Sequence, residues 1–170
     1  MGSAGGRSHR TRGLPLTPWQ TLSGRVTEDL PGEVRRLLAH DAVLHIGTDS
    51  KTIGLQTHFV TVVAVLQPGR GGRAFHRSTK TSRSASLATQ LINEVQLSIE
   101  AAMEFCDVAR ETIVLHIDAN VEERHRSSKY APMLSGMGLG NGFKVQLKPH
   151  AWCASCVADY VVRGRHQRVA

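Results

Sequence analysis

Two short apolar runs, each ending in an aspartate, dominate the hydrophobic pattern of the chain. Val43 to Asp49 predicts a buried strand over about 42–49, and the run Val114 to Asp118 repeats its opening within a strand predicted over 112–118. Strand side chains alternate between faces, so the two aspartates emerge on one face of one sheet edge if the strands are parallel neighbours. The alternative is that each aspartate only caps the turn or helix that follows it.

The remaining pattern predicts three more strands and several helices. Residues 57–67 and 73–79 read as a hairpin rich in Val, Thr and Phe, and residues 143–148 as a short fifth strand. Apolar residues recur at helical spacing over about 86–107, which predicts one long amphipathic helix. Shorter helices are predicted at 33–39, around 127–137 and at 152–162, and the second of these is expected to break at four glycines, Gly136, Gly138, Gly140 and Gly142.

This order of elements predicts an α/β fold with a five-stranded mixed sheet flanked by helices. Right-handed crossovers place the fourth strand beside the first and the fifth beyond it, which gives the strand order 3-2-1-4-5. The connection direction switches between strands one and four, and open α/β sheets bind ligands at such a point. Asp49 and Asp118 are therefore predicted to lie at a functional site.

The composition gives the chain a net positive charge and indicates how it divides into a domain and two tails. The 170 residues carry 21 Lys and Arg against 14 Asp and Glu, a formal charge of +7, which favours a polyanionic partner such as nucleic acid. Six arginines in the two tails contribute most of that excess, so the net charge is only weak evidence for such a partner. We expect a disordered basic arm at 1–14, one domain at 15–163 and a basic tail at 164–170.

The same composition predicts a cytoplasmic protein that makes no use of a membrane. The sequence has no run of about 18 apolar residues and no apolar core of a secretion signal at its start. Its three cysteines are too few for a disulfide scaffold. Cys153 and Cys156 have a metal-ligand spacing, but core packing is the commoner role of such a pair.

Two further acids are within reach of the predicted site. Asp159 lies on the closing helix, and either Glu94 or Glu100 of the long helix can face the site, since six residues separate their side chains by about 120°. Three or four carboxylates around one point can hold two Mg²⁺ or Mn²⁺ ions, which suit in-line phosphoryl chemistry.

Basic side chains near these acids are candidates for contacts to a nucleic-acid backbone. Lys51 follows Asp49 by two residues, and Arg77, Lys80 and Arg83 lie on or after the third strand. A solvated loop is an equally good interpretation of the last three. His45 and His116, inside the two aspartate-bearing strands, are expected to be core histidines with hydrogen-bond partners.

Four stretches carry a resemblance to a known family. They are Ile46–Ser50, Phe59–Val62, Asn93–Glu100 and Lys148-Pro149 with Ala154–Asp159, and together they span roughly residues 30–162. The chain resembles the YkuK-like family of the ribonuclease H-like superfamily. That resemblance implies a four-acid metal site made of Asp49, Glu94, Asp118 and Asp159, and it favours Glu94 over Glu100.

The function expected from these observations is metal-dependent phosphodiester hydrolysis on RNA, DNA or their hybrid. A non-catalytic nucleic-acid-binding module with the same fold is the main alternative. A nucleotide-binding relative of the actin-like ATPases is disfavoured, because no phosphate-binding loop accompanies Gly47-Thr48-Asp49.

Overall fold

A computed structural model describes residues 16–38 and 41–153 of the chain. In chain order the strands and helices are β1 Gln20–Thr21, α1 Leu30–Leu37, β2 Val43–Ile53, β3 Gln56–Gln67, β4 Gly71–Ser82, α2 Leu87–Met103, α3 Cys106–Ala109, β5 Ile113–Asn120, α4 Ala131–Gly140 and β6 Lys144–Lys148. Short 3-10 turns occupy Arg110–Thr112 and Ser128–Tyr130. The expected arm at 1–14, the closing helix at 152–162 beyond Cys153 and the tail at 164–170 lie outside the described residues.

The described strands form one mixed sheet in the order β1-β4-β3-β2-β5-β6. The β2–β3 and β3–β4 pairs are antiparallel, whereas β2–β5 and β5–β6 are parallel. The α/β class is confirmed, and the predicted order differs in one detail. A two-residue strand, β1, adds a sixth member at the edge through Gln20 opposite His76 and Thr21 opposite Phe75.

Helix α2 packs across β2 and β5 and closes the main core. Leu91, Val95 and Ile99 recur on its buried side and meet Ile46 and Leu115 of the sheet in one cluster. Ser86 caps the helix, because its side chain accepts a hydrogen bond from the Thr89 amide at 3.1 Å. This packing fixes the rotation of α2, and therefore which of its polar residues face the sheet.

Two predicted boundaries are wrong in ways that bear on the site. Strand β2 does not stop at Asp49 but continues to Ile53, because it pairs with β3 along its whole length. The long helix ends at Met103 rather than at residue 107, and a separate short helix, α3, follows it.

The glycines of α4 do not break the helix where the sequence predicts. The helix runs through Gly136 and Gly138 to Gly140, and the chain leaves it at Gly142, which has a φ of 83°. A Cβ at Gly138 would lie 2.6 Å from Cγ2 of Val145. Gly138 therefore allows close packing of α4 on β6, and that contact outweighs the poor helix propensity of glycine.

A buried charge cluster ties the N-terminal segment to the far end of α2. Nη1 of Arg77 lies 2.5 Å from Oε1 of Glu104, and its guanidinium carbon lies 4.4 Å from the centre of the Trp19 ring. Nε1 of Trp19 donates to Oε2 of the same glutamate at 3.1 Å. Arg77 is 6% exposed, and the exposed Glu104 neutralises its charge. No helix in the described part of the chain has the length and apolar character needed to cross a membrane.

Candidate active site

The candidate site lies where β2 and β5 separate. Their parallel pairing ends at Gly47 opposite His116, and Asp49 and Asp118 each follow two residues further along. Both carboxylates line one depression of about 480 Å³, together with Glu94 of α2. The two aspartates therefore share a site, although Asp49 lies within a strand rather than at its end.

Helix α2 supplies the third carboxylate and β2 holds it in place. The Ser50 hydroxyl donates to Oε1 of Glu94 at 2.6 Å and accepts a hydrogen bond from Nε2 of Gln90 at 2.8 Å. One turn further along α2, Ser98 donates to Oγ1 of Thr48 at 2.8 Å. This row of polar contacts between β2 and α2 fixes where the Glu94 side chain points.

Glu94 is a buried acid among other acids. It is 6% exposed. Its pKa is raised from 4.5 to about 8, mainly by burial and also by the carboxylates of Asp49 and Asp118, while the hydrogen bonds from Ser50 and Gln90 oppose the rise. An acid with this environment in a depression is a functional-site candidate, because a structural role would be better served by a neutral side chain.

A lysine forms an ion pair with one acid of this cluster. The Lys148 ammonium of β6 forms an ion pair with Oδ1 of Asp118, whose side chain is 19% exposed. Asp49 Oδ1 accepts a hydrogen bond from the Ser50 amide at 2.8 Å. Lys148 thus offsets part of the negative charge at the side of the depression opposite α2.

The donor atoms match a hard divalent cation, but they are not arranged around one. Carboxylate oxygens are the ligands that Mg²⁺ and Mn²⁺ prefer. Among residues 16–38 and 41–153, no three His, Cys, Asp or Glu side chains are close enough together to hold a metal ion. The chemistry of the set therefore fits such an ion, and its binding would require the three carboxylates to move closer together.

The structure separates the two candidate acids of α2. Glu94 lines the depression, whereas Glu100 is exposed and accepts a hydrogen bond from Nε2 of Gln96 at 3.1 Å. Glu94 is the residue that the resemblance favours. Asp159, the fourth predicted acid, lies outside the described residues.

The predicted nucleic-acid contacts divide into exposed and buried residues. Lys51 is opposite His58 in β3, which is opposite Lys80 in β4, so the two exposed lysines flank one histidine on a single face of the sheet. Arg83, just after β4, is also exposed. Arg77 is the exception: its guanidinium is buried against Glu104, which leaves it no surface with which to contact a phosphate.

A histidine pair lies beneath the aspartates on the same two strands. Nδ1 of His45 and Nε2 of His116 are 2.8 Å apart, and the Trp152 amide donates to Nδ1 of His116 at 3.2 Å. His116 Nδ1 is then the acceptor, so Nε2 carries the proton and donates to His45. Burial lowers the pKa of both rings, that of His116 to about 4, with a further contribution from His45. These are core histidines with partners, as expected.

Sequence reasoning missed three contributors to the site. Ser50 adjoins Asp49, and Gln90 precedes Glu94 by one helical turn, so their positions carried a usable signal. Lys148 gave no such signal, because its contact with Asp118 depends on the pairing of β5 with β6.

Cys153 is buried with its sulfur 3.6 Å from the His45 carbonyl oxygen, while Cys156 lies outside the described residues.

Comparison with known proteins agrees with the fold. The family model described as Ribonuclease H-like matches residues 25–163. No curated protein and no solved structure matches the chain significantly.

Proposed function

The chain belongs to the ribonuclease H-like family, and from that premise we propose that it is a nuclease that depends on Mg²⁺ or Mn²⁺. Its reaction is hydrolysis of a phosphodiester bond in RNA, DNA or their hybrid, with water as the nucleophile. Within the family we assign it to the YkuK-like group on the motifs around Asp49, Glu94 and Lys148.

The observation that carries this proposal is the buried Glu94 between two strand aspartates. Three acids that line one depression repel one another, and the raised pKa of Glu94 reports that repulsion together with burial. A protein gains no stability from such an arrangement, whereas a cation relieves it. Family membership makes phosphodiester chemistry the natural use of that cation.

Each residue has a proposed role. Asp49, Glu94 and Asp118 would hold the metal, with Asp159 as the fourth ligand, and two ions stay the prediction from sequence. A bound ion would lower the pKa of the attacking water and stabilise the leaving oxygen. Ser50 and Gln90 orient Glu94, and Lys148 balances the charge of Asp118. Lys51, Lys80 and Arg83 would contact the substrate backbone.

The test is cleavage of labelled single-stranded and duplex RNA and DNA with Mg²⁺ or Mn²⁺. Asp49→Asn and Glu94→Gln should each lower the rate at least about a hundredfold, because they remove a metal ligand without changing shape. Glu100→Gln is the matched control on the exposed side of α2 and should cleave like the wild type. Equal activity in all four proteins would refute the proposal.

The second candidate is a nucleic-acid-binding module without catalysis. The ion pair between Lys148 and Asp118 favours it, because the ammonium holds one of the carboxylates that a metal would need. This candidate predicts salt-dependent nucleic-acid binding that survives Asp49→Asn. It also predicts no cleavage product with either Mg²⁺ or Mn²⁺.

A further inference from the structure

A second cavity opens beside the carboxylates and has the opposite charge. It has a volume of about 520 Å³ and lies between the start of α2 and the segment Glu123–Tyr130. Leu87, Arg124, His125 and Arg126 line both this cavity and the acidic depression, so the two spaces are adjacent. We call it the basic cavity.

Basic side chains outnumber acidic ones in the lining of this cavity. Arg124, Arg126 and Lys129 line the basic cavity, against one acid, Glu123. Arg124 is paired with Glu122, with 2.6 Å between Nε and Oε2, but Arg126 and Lys129 have no ion pair with any described residue. Ser86 and Leu87 bring the amino end of α2 to the same wall, and its helix dipole adds to the attraction for an anion.

Taken together, these features point to one class of ligand, and we propose that the basic cavity binds the phosphate of a nucleotide adjacent to the scissile bond. A cavity of about 520 Å³ has room for one nucleotide unit. The proposal rests on the proposed nuclease function, since it is the position beside the acids that places the next phosphate of the strand here.

The charged residues of the basic cavity have different proposed roles. Arg126 and Lys129 bind the phosphate, and Lys129 is already held with its ammonium 5.0 Å from the centre of the Tyr130 ring. Glu123 opposes the same phosphate by charge. The substrate would then span two adjacent sites: the acids act on one linkage and the basic cavity fixes the neighbouring one.

The experiment is fluorescence anisotropy with a short labelled single-stranded DNA, in EDTA so that no cleavage occurs, over a series of salt concentrations. The double variant Arg126→Gln/Lys129→Gln should bind more weakly and lose about 0.7 from the slope of log affinity against log salt for each lost phosphate contact. Arg70→Gln, an exposed arginine in the turn between β3 and β4, removes a charge far from the cavity and should leave the slope unchanged.

Two further measurements sharpen the result. Glu123→Gln should bind more tightly than the wild type, a gain that misfolding cannot produce. An oligonucleotide with uncharged methylphosphonate linkages should bind the wild type and the double variant equally.

The proposal is overturned if Arg70→Gln weakens binding as much as the double variant does, or if a poly-glutamate peptide of equal charge competes as well as DNA. The binding assay does not depend on cleavage. If the wild type binds DNA as predicted but never cleaves it, the nuclease function alone is refuted. Cleavage with an unchanged KM in the double variant would refute the basic cavity alone.

Discussion

Two buried charges beside α2 have opposite surroundings. Arg77 lies against Glu104 and the ring of Trp19, so its charge is neutralised where it is buried. Glu94 has hydrogen bonds but no ion pair among the described residues, and burial and two further acids raise its pKa. The first arrangement stabilises the fold, whereas the second keeps Glu94 protonated up to about pH 8 unless a bound cation takes the place of the proton.

The largest effect should come from breaking the neutralised charge. Arg77→Ala should lower the free energy of unfolding by about 3 kcal/mol, because it removes a buried ion-pair partner and its packing on Trp19. Arg73→Ala is the matched control on the same strand: this exposed arginine lies 3.1 Å from Glu33, and its loss should cost less than about 1 kcal/mol. Urea denaturation measures both, and equal losses would contradict the role given to Arg77.

The raised pKa of Glu94 should make the stability of the protein depend on pH. The folded pKa of Glu94 is raised from 4.5 to about 8, so between these values the folded protein keeps a proton that the unfolded chain releases. The stability of the wild type should therefore fall as pH rises from about 4.5 to 8. Relative to Glu94→Gln, the loss between about pH 5.5 and pH 7 should be about 2 kcal/mol, since each pH unit within this range costs about 1.4 kcal/mol.

Glu100→Gln is the control for this pH series, because Glu100 is exposed on the same helix. Its difference from the wild type should not vary with pH. If Glu94→Gln and the wild type have parallel stability curves from pH 5 to about 9, Glu94 does not carry the burial and repulsion assigned to it.

A smaller effect is expected where the protein supplies its own cation. Lys148→Gln should tighten Mn²⁺ binding roughly fivefold, about 1 kcal/mol, because a competing charge leaves Asp118. Lys144→Gln, on the same strand but hydrogen-bonded to the Glu111 carbonyl, should have no effect. Calorimetric titration of both variants provides the comparison, and weaker binding by Lys148→Gln would reverse the role assigned to this lysine.

The smallest effect concerns a single hydroxyl. Ser50→Ala removes the donor to Glu94 and the acceptor for Gln90, and should cost about 1 kcal/mol of stability. Ser98→Ala, which loses the contact with Thr48, tests the same row of contacts away from the acids. If a cleavage assay shows that Ser50→Ala lowers activity and Ser98→Ala does not, Ser50 acts on Glu94 rather than on the fold alone.

The main architecture was predictable because apolar periodicity and connection handedness both depend on local sequence. Five strands and the position of α2 follow from such signals. β1 does not, because two residues that pair with β4 through backbone atoms leave no apolar pattern. The continuation of β2 beyond Asp49 was also hidden, since Ser50 and Lys51 look like a loop until their pairing with β3 is known.

The site residues were predictable where the pattern of a single strand was enough to identify them. Asp49 and Asp118 follow from the repeated strand pattern, but the choice between Glu94 and Glu100 depends on how α2 is rotated against the sheet. The burial of Arg77 depends on Trp19 and Glu104, which are distant in sequence. The partnership of Lys148 with Asp118 likewise needs the β5–β6 register.

The central claim is that Asp49, Glu94 and Asp118 act together on one divalent cation. Isothermal titration of Mn²⁺ at about pH 8, where Glu94 releases its proton, tests this most directly. The account predicts saturable binding by the wild type and by Glu100→Gln, with loss of at least about tenfold in affinity for Asp49→Asn and for Glu94→Gln. Identical binding curves for all four proteins, or no binding by the wild type, would contradict it.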